Sequence, residues 1–162
     1  MRVQKLKEKD RSDLEKAPLT SFASTMPALS VTPGSTTGVI RVLLVDDHMM
    51  VREGLRGIVT THHHLEVVGE AGDGVEAVTL AHQLVPHVVV MDINMPKMDG
   101  IEATKQIKML HPEIAVIGLS VNQAVETEQR MRAAGASAYL SKECAADALC
   151  HAIEEACRVD SK

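Results

Sequence analysis

The sequence predicts an α/β protein: a five-stranded parallel sheet with helices on both faces. Three observations carry this. Short aliphatic runs rich in Val, Ile and Leu alternate five times with stretches of helical periodicity. The runs are nearly continuous in apolar residues, as strands buried on both faces require. Polar residues able to do chemistry recur where the runs stop, the edge at which such sheets form sites.

The elements follow in order. Residues 39–47 (VIRVLLVDD) form an apolar strand stopping at two acids. Residues 49–60 (MMVREGLRGIVT) place Met50, Val51, Leu55, Ile58 and Val59 at helical spacing. Residues 65–71 give a short strand ending at Gly-Asp-Gly, and residues 74–84 a helix. Residues 87–92 (HVVVMD) are a third strand, and 100–110 a helix ended by His111-Pro112. Residues 113–120 (EIAVIGLS) are the fourth strand, and 124–135 a helix that Gly135 stops. Residues 137–142 (SAYLSK) and 145–158 complete the alternation as strand and helix.

Before these elements the composition changes. Residues 1–16 carry six basic and four acidic side chains. Residues 17–38 carry no charge and hold three of the six prolines, the composition of a flexible linker. The expected organisation is therefore a charged segment and linker over 1–38, a folded domain over 39–158, and a tail over 159–162.

Composition also excludes functions. A net charge of −5 with one Tyr and one Phe offers neither a basic face nor stacking surfaces, so no nucleic-acid partner is expected. No run is long enough for a membrane span, and no signal-peptide core is present, so a cytoplasmic location is expected. Cys144, Cys150 and Cys157 match neither a zinc pattern nor a disulfide framework and read as reduced cysteines.

At the carboxyl ends of the strands stand Asp46 and Asp47, then Asp92, Ser120 and Lys142. Singly, each has a plain reading: an acid capping the next helix, a turn serine, a solvated lysine. Together they define a chemistry. Carboxylates on neighbouring strands repel unless a cation joins them, and hard oxygen donors suit Mg²⁺ or Mn²⁺. A carboxylate is also a nucleophile towards phosphorus, and an ammonium and a hydroxyl hold the transferring oxygens. His48 reads as the start of the first helix, and His62, His63 and His64 as solvated loop residues. Met91, Met95 and Met98 read as packing.

The stretches VLLVDDH, VVVMDINMPKMDGIEA, VIGLS and GASAYLSKE stand in an order and spacing that resembles the receiver domain of bacterial response regulators, over about residues 39 to 157 and most closely the NarL/FixJ type. The resemblance implies a flavodoxin-like (βα)5 fold with strand order 2-1-3-4-5. It implies that Asp92 accepts a phosphoryl group from the phosphohistidine of a histidine kinase or a histidine phosphotransfer protein, so that the chain is a phosphoacceptor in two-component signalling rather than an enzyme with turnover. Asp47 would bind Mg²⁺ directly, Asp46 through water, and the Asp92 carboxylate and the Asn94 backbone carbonyl would complete the ligands. Lys142 would contact the phosphoryl group, and Ser120 and Tyr139 would form the switch. Pro96 and Gly100 would shape the loop after Asp92. A homodimer would form through the fourth helix, fifth strand and last helix.

Two positions depart from the family pattern. Glu143 follows the lysine where a proline is common, and Val121 follows the switch hydroxyl where Ala or Gly is usual, which should narrow the approach to Asp92. Twenty residues follow Lys142, too few for a helix-turn-helix output, so a single-domain regulator or the C-terminal receiver of a hybrid histidine kinase is expected. A haloacid-dehalogenase-type phosphohydrolase would want a second aspartate where Asn94 stands. An inactive receiver would have lost the acids or the lysine.

Overall fold

The computed structural model describes residues 38–122 and 124–159. Of the expected segment and linker (1–38) and tail (159–162), residues 1–37 and 160–162 lie outside them. Ten elements alternate without interruption: β1 (Ile40–Val45), α1 (Met49–Thr60), β2 (Leu65–Ala71), α2 (Gly74–Leu84), β3 (Val88–Asp92), α3 (Gly100–Leu110), β4 (Ala115–Ser120), α4 (Val125–Ala133), β5 (Ala138–Ser141) and α5 (Ala145–Val159). All strand pairs are parallel and the order is β2-β1-β3-β4-β5, the expected arrangement.

The period-two geometry of a strand divides the aliphatic runs between two cores. Val42, Leu44, Val88, Val90, Ile117 and Leu119 face α1 and α5, where Leu55, Val59, Leu149 and Ile153 meet them. Leu43, Val45, Val89, Met91 and Val116 face the other way, against Ala77, Ala81, Ala103, Ile107 and Met131 of α2, α3 and α4. β3 and β4 lie inside the sheet and are buried at every residue, which is why their sequences show no polar alternation.

Local chemistry sets the ends of the helices. Asp73 and Asp99 cap α2 and α3, accepting the N–H of Glu76 and Glu102. α4 ends at Ala133, two residues before the expected bound at 135, with Gly135 as its stop. The N–H of Gly135 bonds to the Arg132 carbonyl and that of Ala136 to the Met131 carbonyl, with Gly135 at φ +104°. This paired closure needs the glycine one residue beyond the cap. Met50, counted on the apolar stripe of α1, is 73% exposed, because the first turn of α1 lies at the rim, with Leu55 and Val59 the buried residues of the helix. His64 is not simply solvated: its Nε2 lies 2.7 Å from the Glu154 carboxylate and ties the α1–β2 loop to α5. Among the described residues no helix is long and apolar enough to cross a membrane.

Candidate phosphoacceptor site

Parallel strands deliver their carboxyl-terminal residues to one edge of the sheet. β1 ends at Val45, so Asp46 follows directly and is fully buried; β3 ends on Asp92 itself, 3% exposed. β5 stops at Ser141, and the Lys142 N–H donates to the Ser120 carbonyl at 2.9 Å, fixing the lysine against the end of β4. The ammonium of Lys142 reaches both acids, 2.6 Å from Asp46 Oδ2 and 3.1 Å from Asp92 Oδ1. The strand-end residues of β1, β3 and β5 thus form one buried charge cluster.

One ammonium cannot satisfy two buried carboxylates. Burial, then the charge of Asp46, pushes the Asp92 carboxyl above its ordinary range, while Lys142 and the Asn94 N–H act in the opposite sense without reversing it. For Lys142, burial disfavours the charged form, but hydrogen bonds to Asp46 and Asp92 and their charges outweigh it and raise its pKa. A cation is held between two acids that still carry excess negative charge.

Asp47 is exposed at the mouth, and its Oδ1 lies 2.8 Å from His48 Nδ1; the His48 N–H donates to Asp46 Oδ1 at 2.9 Å. Ligand atoms of Asp46, Asp47 and His48 all fall within 4.8 Å of one another. His48 occupies the N-cap of α1, as expected, and its ring lies against the acids as well. Two carboxylates with Asp92 beside them, open on the Asp47 side, fit a hard divalent cation that keeps water.

The remaining expected residues lie around this cluster with different partners. Ser120 Oγ donates to the Asn122 carbonyl at 2.8 Å and accepts the Asn122 N–H at 3.1 Å, so its hydroxyl is engaged with its own loop. The Tyr139 hydroxyl donates to that same carbonyl at 2.8 Å. Both hydroxyls thus share one acceptor. Val121 is 69% exposed, at the rim. Asn94 is exposed and its N–H points to Asp92. The Lys142–Glu143 peptide is trans, as are all peptides among the described residues. Gly100 packs so tightly under Asp92 that a Cβ there would lie 2.0 Å from the Asp92 carbonyl oxygen.

Sequence reasoning missed Arg52. Its Nη1 donates to the Asp46 carbonyl at 2.6 Å, and Glu70 on β2 accepts from both Arg52 and Arg56. The position lies one turn into α1, where a charged residue reads as solvent-facing; Glu70, next to last in the otherwise apolar end of β2, was the available signal.

A buried strand-end aspartate, a lysine reaching it from β5 and a second buried acid on β1 define a phosphoacceptor-type α/β domain. A family model described as the response regulator receiver domain matches residues 42–154, and the chain belongs to that family. Such domains serve two-component signalling, with phosphorylation and Mg²⁺ binding as family properties. The chain is similar to the transcriptional regulatory protein DegU of Brevibacillus brevis, 39% identical over 115 residues, covering 71% of this chain and 49% of DegU. It is similar to the response regulator protein VraR of Staphylococcus aureus, 41% identical over 124 residues, covering 75% of this chain and 58% of VraR. The chain therefore spans about half the length of these curated relatives. The crystal structure of the response regulator domain of Thermotoga maritima CheB superposes with a TM-score of 0.70 at 34% identity, covering 74% of this chain and 97% of that domain.

Proposed function

We propose that Asp92 is the phosphoacceptor and that the chain relays a signal by switching the surface built from α4, β5 and α5. The observation that carries the reading is the position of Asp92: a 3% exposed carboxylate with its pKa raised, 3.1 Å from Lys142 and beside Asp46. In the step proposed, an oxygen of Asp92 attacks phosphorus and the P–N bond to the donor imidazole breaks. The ring nitrogen leaves with the electron pair, and the phosphoryl group remains on Asp92 as an acyl phosphate. The donor is a histidine kinase or a histidine phosphotransfer protein.

Asp46, Asp47, the Asp92 carboxylate and the Asn94 backbone carbonyl would hold Mg²⁺ (or Mn²⁺), whose charge offsets that on the transferring oxygens. Lys142, already bonded to Asp92, contacts a phosphoryl oxygen. Ser120 donates to another after leaving the Asn122 carbonyl, and Tyr139, bonded to that same carbonyl, moves with it. The conformational bias passes to α4, β5 and α5, where a homodimer or another partner reads it. For the chain's context we propose a single-domain regulator or the C-terminal receiver of a hybrid histidine kinase; a kinase ATP-binding domain encoded upstream of Met1 decides for the second.

The test is incubation with Mg²⁺ and acetyl phosphate, followed by intact-mass and peptide mapping. One phosphoryl group on Asp92 is expected, and none in Asp92→Asn. Full labelling of that variant rejects the assignment.

A further inference from the structure

The loop that follows Asp92 is held in place from outside the acid cluster. It runs from Ile93 to Asp99 and carries Asn94, whose carbonyl the proposed function places on the metal; the inference rests on that reading. Three residues beyond Asn94 the backbone makes a tight turn, with the Met98 N–H donating to the Pro96 carbonyl at 2.7 Å. The central residue, Lys97, has φ +64°, a left-handed conformation that glycine adopts freely and a lysine adopts at a steric cost. Strain of this kind persists only where surrounding contacts over-determine it.

Two contacts do so, both to the N-terminus of α2. Lys97 Nζ lies 2.5 Å from Asp73 Oδ2, while Asp73 Oδ1 caps α2 through the Glu76 N–H at 2.9 Å. A Cβ on Gly74 would fall 2.5 Å from the Met98 carbonyl oxygen, so the loop backbone rests directly on the first turn of α2. Asp73 is buried and fixed by its cap, whereas the Lys97 side chain is 69% exposed. The fixed partner is the helix, and the loop is the element that is held. The Lys97 ammonium, together with the Glu76 N–H, also keeps the Asp73 carboxyl below its ordinary range.

We infer that Lys97 is a positioning residue: its clamp on Asp73 holds the β3–α3 loop so that the Asn94 carbonyl stays aimed at the divalent cation beside Asp46, Asp47 and Asp92. Electrostatics alone predicts the opposite for one of the two partners. Removing the positive charge of Lys97 near an acid cluster should tighten cation binding, and removing the negative charge of Asp73 should weaken it. Positioning predicts that both weaken it. Asp73→Asn keeps the cap, since Asn serves there as well as Asp, and so removes the clamp and its charge without loosening the end of α2, which leaves Lys97→Met as the variant that separates positioning from charge.

The test is calorimetric titration of the full chain with MgCl₂ alone. Lys97→Met and Asp73→Asn should each raise the Mg²⁺ dissociation constant about two- to five-fold, the range available from an ion pair this exposed. The double variant should be no weaker than either single one, because the two share one interaction. Lys97→Arg should bind nearly as wild type. Without metal, the Met98 amide should exchange hydrogen faster in Lys97→Met. Binding by Lys97→Met as tight as wild type, or full additivity in the double variant, overturns the inference while leaving the phosphoacceptor reading intact. Absence of Mg²⁺ binding in the wild-type chain rejects both.

Discussion

Asp92→Asn should stabilise the metal-free protein. Asp46 and Asp92 both contact the Lys142 ammonium, at 2.6 and 3.1 Å, so their oxygens stand within about 6 Å of each other. At an effective dielectric of about 20 their repulsion is about 3 kcal/mol. Burying the second carboxylate costs more again, and its attraction to Lys142 offsets only part of the total, since burial and Asp46 raise the Asp92 pKa despite the lysine. An amide of the same shape keeps a hydrogen bond to Lys142 and removes the charge. The expected net gain is about 1–2 kcal/mol, or roughly 3–8 °C in Tm.

The pH dependence follows from the sign of the shift. An acid whose folded pKa is raised binds its proton more tightly when folded. Wild-type stability therefore falls as pH rises from the ordinary carboxyl range through the folded value of Asp92. The advantage of Asp92→Asn is largest above that value and shrinks as the pH drops towards about 4. Urea unfolding with EDTA at pH 7.5 and at about pH 4, monitored by circular dichroism, measures both. Saturating Mg²⁺ should stabilise wild type more than the variant, by linkage. A variant less stable than wild type at pH 7.5, or a difference that does not change with pH, would refute the account of a cluster with excess negative charge.

Three further outcomes are expected. Asp47→Ala should weaken Mg²⁺ binding more than Asp46→Ala in a metal titration, because Asp47 faces the mouth while Asp46 is already held by Lys142 and the His48 N–H; the reverse order would exchange their roles. Gly100→Ala should cost about 3 kcal/mol in urea unfolding, since the new methyl meets backbone atoms of Asp92 and Ile93 that have no side-chain freedom to yield; a cost below about 1 kcal/mol would show that the loop can shift. Val121→Ala should speed loss of the phosphoryl group a few-fold, about 1 kcal/mol in barrier, with little change in stability because Val121 is 69% exposed; an unchanged decay rate would mean that water reaches Asp92 elsewhere.

The strands were legible because their physical cause is written in each of them. Val42–Val45, Val88–Met91 and Ala115–Leu119 are apolar at nearly every position, and only burial on both faces explains that. The meeting of Asp46, Asp92 and Lys142 was legible for a related reason: parallel strands with helical crossovers bring all carboxyl ends to one edge, so chain order is enough. The stop of α4 at Gly135 was legible too, but its last helical residue was set two too late, because a paired-carbonyl closure places Gly135 beyond the helix. Less legible were the contacts that only packing in space decides. Arg52 and Lys97 are the two such cases. A charged residue on an outward helix face or in a loop reads as solvated, and its partner, the Asp46 carbonyl or the Asp73 carboxylate, is fixed only by how loops and helix ends pack in space.

The switch pair shows the same division. Sequence names Ser120 and Tyr139, whereas the structure shows the bonds that each would give up under the proposed switch. Both hydroxyls donate to the Asn122 carbonyl at 2.8 Å, and Ser120 also accepts the Asn122 N–H. A carbonyl has two lone pairs, so it serves both donors without competition. If Ser120 turns to a phosphoryl oxygen, it loses two bonds to Asn122, and the β4–α4 loop loses its tether to the end of β4. The loop then follows Tyr139 alone. Nearby, Met131 is the sole buried residue of α4 and packs where Gly118 leaves room beside the Tyr139 ring, so a movement of the ring under the proposed switch would alter the seat of that helix. Under the proposed function, two hydroxyls on one carbonyl and a glycine opposite a methionine would be the contacts through which chemistry at Asp92 reaches α4.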